Sequence, residues 1–193
     1  SAGDQVAAGD SLGQMVRSGC CGQWGANHVH LGFRDTAANP YRASGSLPLA
    51  PAVPVAGASW DGSGTVIETG ETFVRLDSPA HPSPGSWATV AADDGTPLDG
   101  GLAHYTGGGA YGAHDGSLSL LGTEVGTATS RPAAAVSAVP ASTAIADVAW
   151  ADVQVLVNGE QATGLSLFAA REGFGAKVVF HEGHEFAVGE RLS

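Results

Sequence analysis

Residues 153–168 read "VQVLVNGEQATGLSLF". Two apolar, β-branched runs flank an Asn-Gly pair, and Asn-Gly supplies the two left-handed residues that a tight type I′ turn requires. The stretch therefore predicts strand, two-residue turn, strand. The same grammar extends outward. Residues 176–193, "AKVVFHEGHEFAVGERLS", predict strand, turn and strand again. Upstream, "GTVIETGETFVRL" (64–76), "SWATVAA" (86–92) and "GSLSLLGTEV" (116–125) predict further short strands. The glycine-rich "GGLAHYTGGGAYGAHDG" (100–116) between them reads as a surface loop. Residues 134–151 are the one stretch with any helical character. The fold class expected is all-β, with one or two small sandwich-like or barrel-like units.

Composition agrees. The chain has 193 residues, 29 of them Gly and 10 Pro, a density that breaks long helices and favours turns. A 43% hydrophobic fraction is enough for a packed core. The formal net charge is −11, with eight Lys and Arg scattered singly, so a phosphate-binding surface for nucleic acid is excluded. No apolar run approaches the ~18 residues of a membrane span. The opening Ser-Ala-Gly-Asp has no signal-peptide pattern. Cys20 and Cys21 are adjacent and are the only cysteines, so neither a disulfide framework nor a cysteine zinc module is available within one chain.

A Pro, Ala and Ser-rich stretch, "TAANPYRASGSLPLAPAVPVAGA" (36–58), marks the main boundary. The domains expected are a segment at 1–41, an extended linker at 42–58, and β-rich units at 59–127 and 128–193, the last two possibly a single domain. One local pattern recurs: "VAAGDSL" (6–12), "IETGETF" (67–73) and "FAVGERL" (186–192). Each predicts a tight turn with Gly at positive φ.

Within the first segment, "GANHVHLGF" (25–33) places His28 and His30 two apart, on one face of a strand. In order, the segment also holds Val6, Gly9, Asp10, Leu12 and Gly13, then Ser18-Gly19, then Gly25, His28, His30 and Phe33, and finally Asn39-Pro40. This series resembles the closing third of the M23 (lysostaphin-like) zinc metallopeptidase domain over residues 3–41. The resemblance implies that His30 ligates Zn²⁺ and that His28 assists as acid/base helper. It also implies a cell-wall peptide as substrate. Zinc in such sites polarises the scissile carbonyl and lowers the pKa of its water toward ~7. The family's remaining ligands come from an upstream His-x-x-x-Asp motif. His81, His104, His114, His181 and His184 all lack an Asp four residues on, so that motif would have to come from outside this chain.

The alternative is a non-catalytic β protein of a virion, filament or cell surface that packs against copies of itself or other structural chains. Either reading places the protein outside the cell or at a surface. Other constellations carry less. "HEGHE" (181–185) offers His181, Glu182, His184 and Glu185, but not at the His-Glu-x-x-His spacing, and reads as a polar hairpin turn. His104, Tyr105, Tyr111, His114 and Asp115 decorate the glycine-rich stretch. Trp60, Trp87 and Trp150 read as core residues and Trp24 as exposed. Asp77, Asp93 and Asp94 read as isolated turn acids. No Gly-x-Ser-x-Gly elbow supports a serine hydrolase.

Overall fold

The computed structural model describes residues 5–11, 13–14, 32–39, 47, 51–130 and 144–193. The chain divides into two compact units, Ser1–Leu47 and Pro48–Ser193. In the first unit, residues 7–10 form a tight turn. Gly9 sits at φ +94°, the Asp10 N–H donates to Ala7 O (3.1 Å), and the Asp10 carboxylate accepts the Ala7 N–H (2.8 Å). A second turn follows Phe33, where Asp35 accepts the Ala37 N–H on its carboxylate (2.9 Å).

The second unit is all-β. Its strands are β1 (Val55–Ala58), β2 (Gly64–Gly70), β3 (Phe73–Leu76), β4 (Trp87–Val90), β5 (Leu98–Leu102), β6 (Gly107–Tyr111) and β7 (Gly116–Leu120). There follow β8 (Thr123–Ser130), β9 (Ile145–Trp150), β10 (Val155–Val157), β11 (Glu160–Ala162), β12 (Gly164–Leu167), β13 (Lys177–Val179) and β14 (Arg191–Leu192). Ten of them make one antiparallel sheet in the order β14-β2-β3-β13-β12-β5-β6-β9-β8-β7. Strands from 59–127 and from 128–193 interleave in it: β12 lies between β13 and β5, and β9 between β6 and β8. A parallel pair β1–β4 and the hairpin β10–β11 complete the unit.

Alternation along the strands sets the core. Ala146 and Val148 of β9, Leu98 of β5 and Ala110 of β6 point inward and are buried. Leu192 and Val66, at one end of the sheet, share a single apolar cluster with Leu118, Leu120 and Val125 at the other. The sheet must curl for this to happen, as antiparallel sheets do through their inherent twist.

The Asn-Gly hairpin forms as its sequence predicts. Asn158 (φ 51°) and Gly159 (φ 86°) make the turn, and Val157 pairs with Glu160. Three expectations are corrected. The glycine-rich stretch 100–116 is a hairpin rather than a loop: Gly107–Gly109 are strand residues paired with Ala149, Val148 and Asp147. At Gly108 a side chain has no room, because the Asp99 carbonyl and the Trp150 ring both lie over it, and Gly126 faces the same ring. A Cβ on Gly108 would come within 2.5 Å of that ring and one on Gly126 within 3.1 Å. Second, residues 181–185 do not join two paired strands, since β13 pairs with β12 and β3 while β14 pairs with β2. Third, Gly70 ends β2 opposite Phe73 without a positive φ, because the two turn residues are Glu71 and Thr72. The turns at Gly9 and Gly189 do match each other. At the second, φ is +96° and Glu190 accepts the Ala187 N–H just as Asp10 accepts that of Ala7.

Among the tryptophans, Trp60 and Trp150 pack against the core, while Trp87 is 39% exposed. Residues 145–150 of the stretch with helical character are strand β9. No helix among the described residues is long and apolar enough to cross a membrane.

Candidate functional site

His28 and His30 lie outside the described residues, as do Trp24, Cys20 and Cys21. The five remaining histidines belong to the β unit, and their surroundings decide what each can do. His184 faces Gly70 O (2.9 Å) and Phe73 O (3.0 Å) with Nε2, which must therefore carry the proton, and its Nδ1 accepts the Phe186 N–H (3.2 Å). The ring ties the β2–β3 turn to the chain entering β14. His81 is engaged in the same way: Nε2 meets Ala170 O (3.3 Å) and Nδ1 accepts the Ser83 N–H (3.1 Å). With both ring nitrogens bound to backbone, neither side chain offers a lone pair to a metal.

His104 and His181 come from two separate stretches of sequence and meet in the fold. Their rings stand edge to face with centroids 6.0 Å apart. Burial depresses the pKa of both imidazoles. His104 Nδ1 lies 3.2 Å from Leu102 O, which leaves Nε2 as its acceptor nitrogen. Two neutral imidazoles are one ligand short of a catalytic zinc set. Among the described residues there is no group of three or more His, Cys, Asp or Glu able to hold a metal ion. His114 approaches Asp94 (3.8 Å) and Thr96 (3.4 Å) instead.

The turn acids hold backbone. Asp93 accepts the N–H groups of Leu121 (2.9 Å) and Gly122 (2.8 Å), Asp77 that of Thr65 (2.7 Å), and Asp94 that of Thr96 (2.9 Å). A further polar pair escapes a motif search. Asp99 of β5 and Tyr111 of β6 share the outer face of the sheet, and the phenol donates to the carboxylate. Burial raises the pKa of Asp99, the Tyr111 hydrogen bond partly offsetting it. Burial and the adjacent carboxylate raise that of Tyr111. A strict alternation of 98–102 against 107–111 puts both on one face, so the signal exists once the glycines are read as strand.

The comparisons fall into two parts along the chain. The family model described as the C-terminal domain of DUF8155, a domain of unknown function, matches residues 56–193. Its N-terminal companion matches residues 1–51. No curated protein and no solved structure matches the chain. Together the two models span both compact units, and the chain belongs to the DUF8155 family.

Proposed function

We propose that this protein couples an M23-like zinc-peptidase segment, within residues 1–51, to a β unit that serves it at the cell surface. The observation that carries the reading is the ordered series from Val6 through Gly9-Asp10, His28 and His30 to Asn39-Pro40, all inside one family-model segment. The left-handed Gly9 turn agrees with what that series requires at its start. The same turn recurs at Gly189, so it supports the reading only in company with the histidines.

In this proposal His30 is a ligand and His28 handles a proton beside it, a task suited to an imidazole at neutral pH. Zinc, when bound, supplies Lewis acidity at the scissile carbonyl of a cell-wall peptide. No histidine of the sequence is followed by Asp four residues on, so in this proposal the remaining ligands come from a His-x-x-x-Asp element outside residues 1–193. The work of the protein then lies outside the cell, at a wall or surface.

The test is metal content by elemental mass spectrometry on the longest natural form of the chain. Wild type, His30→Ala and His28→Gln are compared, with hydrolysis of a glycine-rich wall peptide measured beside them. Stoichiometric zinc that is lost in His30→Ala and kept in His28→Gln, with activity lost in both, is the expected result. Absence of zinc from the wild type would sink the proposal and move the weight to self-assembly, read by sedimentation.

A further inference from the structure

A cavity of about 180 Å³ is lined by residues from both ends of the curled sheet and by strand β10. Trp60, Val125, Val155 and Leu192 form its walls, and its lining is predominantly apolar. Interiors are close-packed, with few voids larger than a water, so a space of this size is a feature to be explained. For scale, an apolar cavity of about 150 Å³ in another protein stays dry and takes up benzene.

The mouth carries a second signal. Leu121 and Leu156 both line the cavity, yet they are 47% and 56% exposed. Leu121 holds a left-handed backbone (φ 55°), a conformation that L side chains adopt at a cost. Asp93 secures this turn, one carboxylate oxygen accepting the Leu121 N–H and the other that of Gly122. Gly62 leaves room beside it, where a Cβ would approach the leucine to 3.0 Å. On the other side, Asn158 fixes the hairpin by donating its N–H to Ser193 O (2.8 Å) and accepting the Ser193 N–H (3.0 Å). The walls are thus pinned open by hydrogen bonds rather than left to collapse. Thr123, Gln154 and Ser193 add polar atoms to the lining.

We propose that this cavity is a binding site for a small neutral amphiphile: a single aromatic ring or short alkyl chain bearing a hydroxyl. The hydrocarbon body fills the apolar interior against Trp60. The hydroxyl pairs with Thr123, Gln154 or Ser193. Charged heads are disfavoured because desolvation penalises them and the net charge of −11 repels anions. Every residue involved lies between 60 and 193, so the proposal stands whether or not the N-terminal segment binds zinc.

The experiment is a titration of the full chain with p-cresol, 1-hexanol and hexanoate, followed by the methyl NMR signals of Leu and Val. Saturable shifts concentrated at Leu121, Val125, Val155, Leu156 and Leu192 are expected for the two alcohols, with hexanoate weaker by roughly tenfold or more. Val155→Phe fills the space and removes those shifts while the remaining methyl spectrum stays native. Should Val155→Phe fail to fold, the wild-type pattern decides alone. Linear shifts spread over surface methyls, equal binding of hexanoate, or saturable shifts that survive in folded Val155→Phe would each overturn the assignment.

Discussion

Asp99 shows what a single buried carboxylate does to the energetics of a sheet. Desolvation penalises its charged form, and the Tyr111 hydroxyl offsets that penalty in part. Its pKa in the folded chain therefore stands above the ordinary 3.8. Between 3.8 and the raised value the folded chain holds this proton more tightly than the unfolded one does. The contribution of Asp99 to stability is therefore fully present below 3.8 and is lost as pH rises through the folded pKa. Asp61 and Asp115 act in the opposite sense. Backbone N–H donors at Ser63 and Ser130 lower their pKa values, so their contribution is present above 3.8 and lost as pH falls. Carboxyl-carbon NMR separates these groups. The Asp99 midpoint is expected above 3.8 and higher again in Tyr111→Phe, while the midpoints of Asp61 and Asp115 stay low and unmoved. An Asp99 midpoint at or below 3.8, or one unchanged in Tyr111→Phe, would contradict the account. At the same scale, the histidines were the least legible residues. Their number and spacing are plain in the sequence, but whether a ring nitrogen is free depends on carbonyls such as Gly70 and Phe73, more than a hundred residues from His184.

Elements were legible where the reason for a residue is local. Asn158-Gly159 announces its hairpin because the turn itself demands two positive φ values. Gly107–Gly109 misleads because the reason for Gly108 is not local: the Asp99 carbonyl of the neighbouring strand and the Trp150 ring, some forty residues on, leave no room for a side chain. Adjacent positions there should respond in opposite ways to the same change. In Gly108→Ala the new methyl would lie 2.3 Å from Asp99 O and 2.5 Å from the Trp150 ring, so backbone and indole must both shift. A cost on the order of 2–3 kcal/mol is expected. In Gly109→Ala the methyl points to the outer face, where the nearest atom is Ile145 Cγ2 at 3.4 Å, and φ is ordinary. That variant should lie within about 0.5–1 kcal/mol of wild type, since lost chain entropy is then the main term. Urea midpoints at constant slope measure both. Equal losses at 108 and 109 would mean that the Asp99 carbonyl and Trp150 do not dictate the glycine at 108.

For the molecule as a whole, composition sufficed for the all-β class. The order of the sheet was beyond reach, because β12 and β9 each pair on one side with a strand far back in sequence, β12 with β5 more than sixty residues earlier and β9 with β6 about forty. Charge is the other property fixed at this scale. Nineteen acids face eight Lys and Arg, and Arg75 pairs with Glu68 at 2.7 Å between neighbouring strands. Folding gathers this excess into a compact volume, and like-charge repulsion then opposes the native state. Salt should relieve it, because the screening length falls from about 10 Å at 0.1 M to about 3 Å at 1 M. Screening worth ~1–2 kcal/mol in a domain of this size raises Tm by roughly 2–8 °C between low salt and 1 M NaCl. Stabilisation by salt through exclusion from the surface would give the same sign, so a charge variant is needed to distinguish the two. Replacing the exposed Glu160, Glu182 and Glu185 by Gln reduces the net charge from −11 to −8 while touching no described ion pair. That variant should begin with a higher Tm at low salt and show a shallower rise, the two curves converging near 1 M. Parallel curves would assign the effect to surface exclusion, and a Tm that is flat or falls with salt would remove charge repulsion from the account of stability.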